Sequence, residues 1–230
     1  MIHQLIFAAP KPGMSEKEFQ RYWREKHAPI ASKIPQIKRY LVASRIPLNE
    51  KEKPVFSGVA EIWLENEKEE LESLQSKEFL QGARVDEPNW AAFWQTLALD
   101  TTSHVLVEGE VLQKPSNLVK VFTLLRRKPG ISLSDFRQYW LETHGSLVSS
   151  LPGVRRYLQC HVNDGLYGIG EPRFDGVEQV WFDDTKSIEK MMDSAQYKEK
   201  VLPDLANFVE LKYIFSFAAD EYWVIGPEKR

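Results

Sequence analysis

With 230 residues, 43% of them hydrophobic and 27% charged, and a net charge of −3, the chain has the composition of a soluble globular protein of one large or two small domains. It has no basic block or stripe to hold nucleic acid or an anionic membrane surface, and no apolar run reaches the ~18 residues that span a bilayer. Residues 1–7 lack the basic and long apolar regions of a signal peptide, and Cys160 is the only cysteine, so a reduced, cytoplasmic setting is expected.

In chain order, residues 2–9 read as an apolar strand, followed by the turn Lys11-Pro12-Gly13. Ser15 with Glu18 three residues later is a capping box. The helix it starts carries Phe19, Trp23, His27 and Ile30 at steps of three and four, hence on one face. Strands are expected over 37–46 and 55–64, then a Glu-rich helix from about 67 and a strand over 103–108. A short polar linker, Val111 to Asn117, separates this half from a second series. There, strands fall at 119–126, 154–162, 174–182 and 221–225, and helices start at Ser132 and near 185. A Gly-rich loop is expected over 163–172.

The second series repeats the first. At a shift of 117, 14 of the 31 positions from 11 to 41 are identical, whereas chance gives roughly two. Lys11-Pro12-Gly13 meets Lys128-Pro129-Gly130, Phe19 meets Phe136, and Trp23 meets Trp140. His27 meets His144, and Arg39-Tyr40-Leu41 meets Arg156-Tyr157-Leu158. At a shift of 118, Phe56, Gly58, Val59 and Trp63 meet Phe174, Gly176, Val177 and Trp181. Each copy has the order βαββαβ of a ferredoxin-like unit, whose sheet has helices on one face only. The expected fold is therefore α+β. Two ferredoxin-like repeats, residues 1–112 and 116–230, pack sheet to sheet so that the open faces are buried within one chain.

The pattern K-P-G-x-S, then F-x-x-Y-W-x-x-x-H, a proline, R-Y-L and F-x-G-V-x-x-x-W, present twice, resembles the EthD family of the dimeric α/β-barrel superfamily. The resemblance implies an intrachain dimeric α/β barrel, with a small-molecule cavity between each unit's helices and sheet. The superfamily includes cofactor-free monooxygenases, cyclases, dehydratases, isomerases and some haem proteins. The first copy follows the family's His-x-Pro pattern in His27-Ala28-Pro29. The second departs from it with His144-Gly145-Ser146, and Gly145 is expected to loosen or end the helix there.

Of five histidines, only His27 and His144 form a matched pair. Imidazole suits proton transfer near neutral pH, so both are candidate acid/base groups, with His27 the preferred one. Tyr40 and Tyr157, at the start of the second strand of each copy, are candidates to orient a substrate. Glu61 shares strand parity with Trp63 and Val59 and is a candidate buried base of raised pKa; its counterpart is Gln179. Phe19, Trp23, Phe136 and Trp140 are candidate substrate-binding walls. The chain has no metal-ligand spacing, phosphate loop or nucleophile elbow, so no cofactor or metal is expected. The leading expectation is a cofactor-independent lyase or isomerase acting on a small apolar or aromatic molecule. A non-catalytic binder of hydrophobic ligands and a haem protein are the alternatives. The pseudo-dimer is expected to be self-contained, with a further homodimer open.

Overall fold

The computed structural model of the chain describes residues 1–48, 55–109 and 116–228. Most of the expected linker, residues 111–115, lies outside the described residues. The first copy contains β1 (Ile2–Ala8), α1 (Glu16–Tyr22), α2 (Ala28–Ala31), β2 (Arg39–Ile46), β3 (Gly58–Leu64), α3 (Glu67–Gln75), α4 (Arg84–Asp86) and β4 (Leu97–Val107). The second contains β5 (Val119–Leu125), α5 (Leu133–Tyr139), α6 (Gly145–Ser149), β6 (Arg156–Val162), α7 (Asp164–Tyr167), β7 (Gly176–Phe182), α8 (Thr185–Asp193), α9 (Leu202–Phe208) and β8 (Phe215–Ile225).

The local signals act as expected. The Ser15 side chain accepts from the Glu18 N–H at 3.3 Å, and the Glu18 carboxylate accepts from the Ser15 N–H at 2.9 Å. At Ser132 only the first half of the box forms, from the Asp135 N–H at 3.1 Å; the shorter Asp135 side chain bonds the Ser132 hydroxyl instead. Both first helices continue into a single wide turn. The Ala28 N–H bonds to Trp23 O, and the Gly145 N–H to Trp140 O, five residues back. Such π turns occur often at functional sites. Here each one carries its histidine.

The strands form one closed antiparallel barrel in the order β1-β3-β2-β8-β5-β7-β6-β4. The face-to-face packing of two sheets is thus realised as a barrel, in which β2 pairs with β8 and β4 with β6 across the copies. Closure leaves no unpaired edge. The closing strands are longer than their sequence pattern indicates. β4 pairs with β1 through Leu97–Thr101 and then with β6 through Thr101–Val107, so it needs eleven residues to serve both neighbours.

The barrel interior is apolar over most of its length, built from Leu5, Phe7, Val59, Leu99, Phe122, Leu124, Val177 and Phe217 among others. The opposite sheet face packs under helices, around Phe19, Trp23 and Tyr40 in the first copy and around Val148, Tyr157, Ile188 and Val201 in the second. Among the described residues, no helix is long and apolar enough to cross a membrane.

Candidate active site

The π turns place His27 and His144 under the helix layer, with 8% and 0% of their surface exposed. Each ring is held by an aspartate that the sequence reading missed. His144 Nδ1 donates to Asp204 at 2.8 Å, and His27 Nδ1 donates to Asp86 at 3.0 Å. Tyr139 and Asn207 also donate to Asp204, at 2.6 and 3.0 Å; Tyr22 and Asn89 donate to Asp86, at 2.7 and 3.1 Å. Burial alone would raise both carboxyls, but these donors outweigh it and hold Asp86 and Asp204 below the usual carboxylate range. With the aspartates ionised, a neutral imidazole carries its proton on Nδ1, which leaves Nε2 as the acceptor. Burial lowers the His27 pKa, and Asp86 only partly offsets this.

The copies diverge beyond this shared unit. A cavity of about 680 Å³ opens between helices and sheet in the second copy, lined by His144, Val148, Glu178, Val180, Ile188 and Tyr197 among other, mostly apolar, residues. His144 Nε2 is buried without a hydrogen-bond partner, 3.6 Å from Glu178 Oε1. That distance is too long for a hydrogen bond and close enough for a charge to be felt. Glu178 Oε1 is fixed by the Trp140 indole N–H and the Tyr157 hydroxyl, each at 2.7 Å. Burial, followed by the Glu178 charge, raises the Tyr157 pKa well above its ordinary value.

In the first copy the residue matching Glu178 is Ala60, and Tyr40 only accepts from the Trp23 indole at 3.3 Å. Positions matching Val121, Ile188 and Ala218 of the cavity are Gln4, Glu70 and Asp100. There Gln4 donates to both carboxylates, at 3.2 and 2.8 Å. The Trp90 ring lies 4.6 Å from His27 and 4.7 Å from Trp23.

Several expectations need correction. Glu61 does point inward, but into the barrel, on the sheet face opposite the helix-side cavity. Its oxygens meet Lys120 and, at 2.9 Å, His3. Burial would raise its pKa; Lys120 and His3 reverse the sign and hold it at about 2, so it is no raised-pKa base. Phe136 and Trp140 do not line the cavity. Phe136 packs with Phe208 in a separate cluster, and Trp140 reaches the cavity only through Glu178. Phe19 and Trp23 are buried core around Trp90. Gly145 does not end the helix, since it is right-handed with φ −56°. A Cβ there would lie 2.4 Å from Leu106 Cδ2 and 3.1 Å from Trp140 O, so glycine suits the close approach of the Leu106 side chain from β4. The Gly-rich loop includes the short helix α7, whose Tyr167 bonds Asp175 at 2.7 Å.

The comparisons with known proteins agree with this architecture. The chain is 32% identical to the dehydratase aurZ of Gibberella zeae over 48% of its own length and 80% of that protein. It is 29% identical to the conidial pigment biosynthesis dehydratase EthD of Metarhizium robertsii, over 45% of its length and 82% of that protein. The crystal structure of an anthrone oxidase-like protein superposes with a TM-score of 0.70 at 14% identity, covering 97% of this chain and 92% of that one, which shows the shared fold. The EthD domain matches twice, over residues 11–93 and 128–212. The chain therefore belongs to the EthD domain family and carries the domain in tandem.

Proposed function

We propose that the chain is a cytoplasmic, cofactor-independent enzyme that dehydrates a small apolar molecule in the second-copy cavity, with His144 as the acid/base. The observation that carries this reading is the His144 imidazole. It is clamped at Nδ1 by Asp204, and its free Nε2 lies in a mostly apolar cavity. The dehydratase names of two relatives support the reaction class. The free, buried Cys160 fits a reducing compartment.

The step balances on His144 alone. Nε2 takes the proton from a carbon next to a carbonyl, and the electron pair forms the new double bond as the C–O bond to a neighbouring hydroxyl breaks. The imidazolium returns that proton to the departing hydroxide, which leaves as water. Asp204 stabilises the imidazolium from Nδ1, and Glu178 stabilises it from 3.6 Å beyond Nε2. Tyr157 acts as a positioning residue, because its hydroxyl fixes Glu178. The preference for His27 thus passes to His144. His27 has the same aspartate but is not among the residues lining this cavity.

The test is a mass-spectrometric comparison of a neutral metabolite extract incubated with wild type, His144→Gln and His27→Gln, each checked for folding by circular dichroism. Compounds should be converted to products lighter by one water in wild type and His27→Gln, and His144→Gln should lose most of this conversion. Undiminished conversion by His144→Gln refutes the assignment.

A further inference from the structure

We infer that the second-copy cavity admits its ligand only in uncharged or cationic form and rejects anions, so that a carboxylate or phosphate on the molecule blocks binding. The inference rests on the reading of this cavity as the working site, but not on any reaction occurring there.

The charges around the cavity are one-sided. Among its described lining residues are the carboxylates of Glu178, Glu189 and Asp193, and neither lysine nor arginine. Glu178 is inside and 6% exposed. The other two stand at helix α8, along the rim. Lys198 pairs with the exposed Asp193 at 2.9 Å, so the unpaired charge rests on Glu178 inside and Glu189 at the rim, and the other nearby cations are directed elsewhere. Lys186 and Lys190 line a separate outer groove of α8, together with Glu189 and Asp193. On β5, which supplies Val121 and Thr123 to the cavity wall, Lys120 points through the sheet into the barrel. There it is committed to Glu61, Glu221 and Gln179.

His144 does not change the sign. Even protonated, it lies between Asp204 and Glu178, two carboxylates around one imidazolium, so the site remains net negative. An entering anion would give up its hydration, meet no countercharge and face Glu178 across a low-dielectric wall of Val, Leu, Ile and Met side chains. A neutral donor is favoured at the same place. With Nδ1 carrying the ring proton, Nε2 and Glu178 Oε1 are both acceptors, and a ligand O–H or N–H between them would give the buried His144 Nε2 the partner it lacks. This places the enzyme within its reaction sequence by class. A precursor that carries an acid must first be decarboxylated, esterified or lactonised before it can enter.

The experiment compares naphthol, naphthoate and naphthylmethylammonium, three probes of one shape and different charge, by isothermal titration with the full chain at pH 7. Naphthol and the ammonium should bind, and naphthoate should bind at least about tenfold more weakly than naphthol, a difference of about 1.4 kcal/mol. Glu178→Gln keeps an acceptor for Trp140 and Tyr157 while removing the charge, so it should narrow the gap between naphthol and naphthoate. Glu189→Lys, at an exposed rim position, should narrow it without touching the interior. Naphthoate binding as tightly as naphthol overturns the inference, as does a gap that Glu178→Gln and Glu189→Lys leave unchanged. Failure of all three probes to bind overturns the cavity as a ligand site altogether. Anion rejection in a chain with no dehydration activity would refute the proposed reaction and leave this inference standing.

Discussion

Replacing Lys120 by methionine probes a polar cluster inside the barrel. Lys120 is 1% exposed, and its ammonium is shared by Glu61, Glu221 at 2.8 Å and Gln179 at 3.1 Å. His3 closes the cluster from the opposite side of Glu61, and the Trp181 indole donates to Glu221 at 2.9 Å. Methionine keeps the length of the side chain and removes its charge, leaving two buried carboxylates, of which only Glu61 keeps a histidine partner. Breaking a buried ion pair in this way costs about 3–5 kcal/mol. The pH dependence gives a second estimate. Glu61 titrates at about 2, against an ordinary 4.5, and the difference corresponds to about 3 kcal/mol. Its pKa is depressed, so this stability is fully present above pH 4.5 and is lost as pH falls through 2. The deficit of Lys120→Met, measured by urea unfolding, should therefore be largest at pH 7 and shrink at pH 3. Adding Glu61→Gln should restore part of the loss. A deficit under about 1 kcal/mol at pH 7, or one that grows on acidification, would refute the claim that the cluster is held by its lysine.

Three further outcomes are expected. Gly176→Ala should lower stability by at least about 2 kcal/mol in chemical unfolding, and more than Gly145→Ala does. Its Cβ would lie 2.3 Å from the Trp140 ring and 2.9 Å from Cys160 O, whereas the closest neighbour at Gly145 is the movable end of Leu106. Glu70→Gln should raise the melting temperature at pH 8 and leave it nearly unchanged at pH 4.5. Burial and then Asp100 lift the Glu70 carboxyl to about 7, so its favourable protonated state is lost as pH rises through that value. Residues 1–112 alone, the proposed first unit, should self-associate in sedimentation velocity, because β2 and β4 would lose β8 and β6 and expose the barrel's apolar face.

The elements could be read from the sequence because their signals are local. A Lys-Pro-Gly turn, a serine cap and a stripe at steps of three and four need no distant partner, and the second copy confirmed each one. Glu61 shows where such reading stops. Period two tells which residues share a face of a strand, but not whether that face turns toward the barrel or toward the helices. Parity with Trp63 was right, and the environment was the opposite of the one expected. Asp86 and Asp204 could have been found. They recur at the shift of 118, as do Asn89 and Asn207, but they lie in a helical stretch where few other positions match. The cavity could not have been located in this way. It depends on Val121, Ile188 and Ala218 standing where the first copy has Gln4, Glu70 and Asp100, residues brought together by the pairing of β5 with β8 and of β1 with β4 and by the helices α8 and α3 packed over those strands.

The presence of one histidine–aspartate unit in both copies does not by itself argue for chemistry. In each copy the aspartate also receives a tyrosine from the first helix and an asparagine from its own segment, which ties α1 to α4 and α5 to α9. That is a sufficient structural reason to keep all four side chains, and it accounts for His27, whose ring is packed against Trp90. The second copy differs at the other ring nitrogen. A buried Nε2 without a partner is unfavourable in a finished core, where polar atoms find hydrogen bonds. It is tolerable where a ligand completes the site. Glu178, fixed by two donors and 3.6 Å away, has no counterpart at Ala60. The two groups that set the second copy apart both face the cavity, which is why we propose the working site on that side of the barrel.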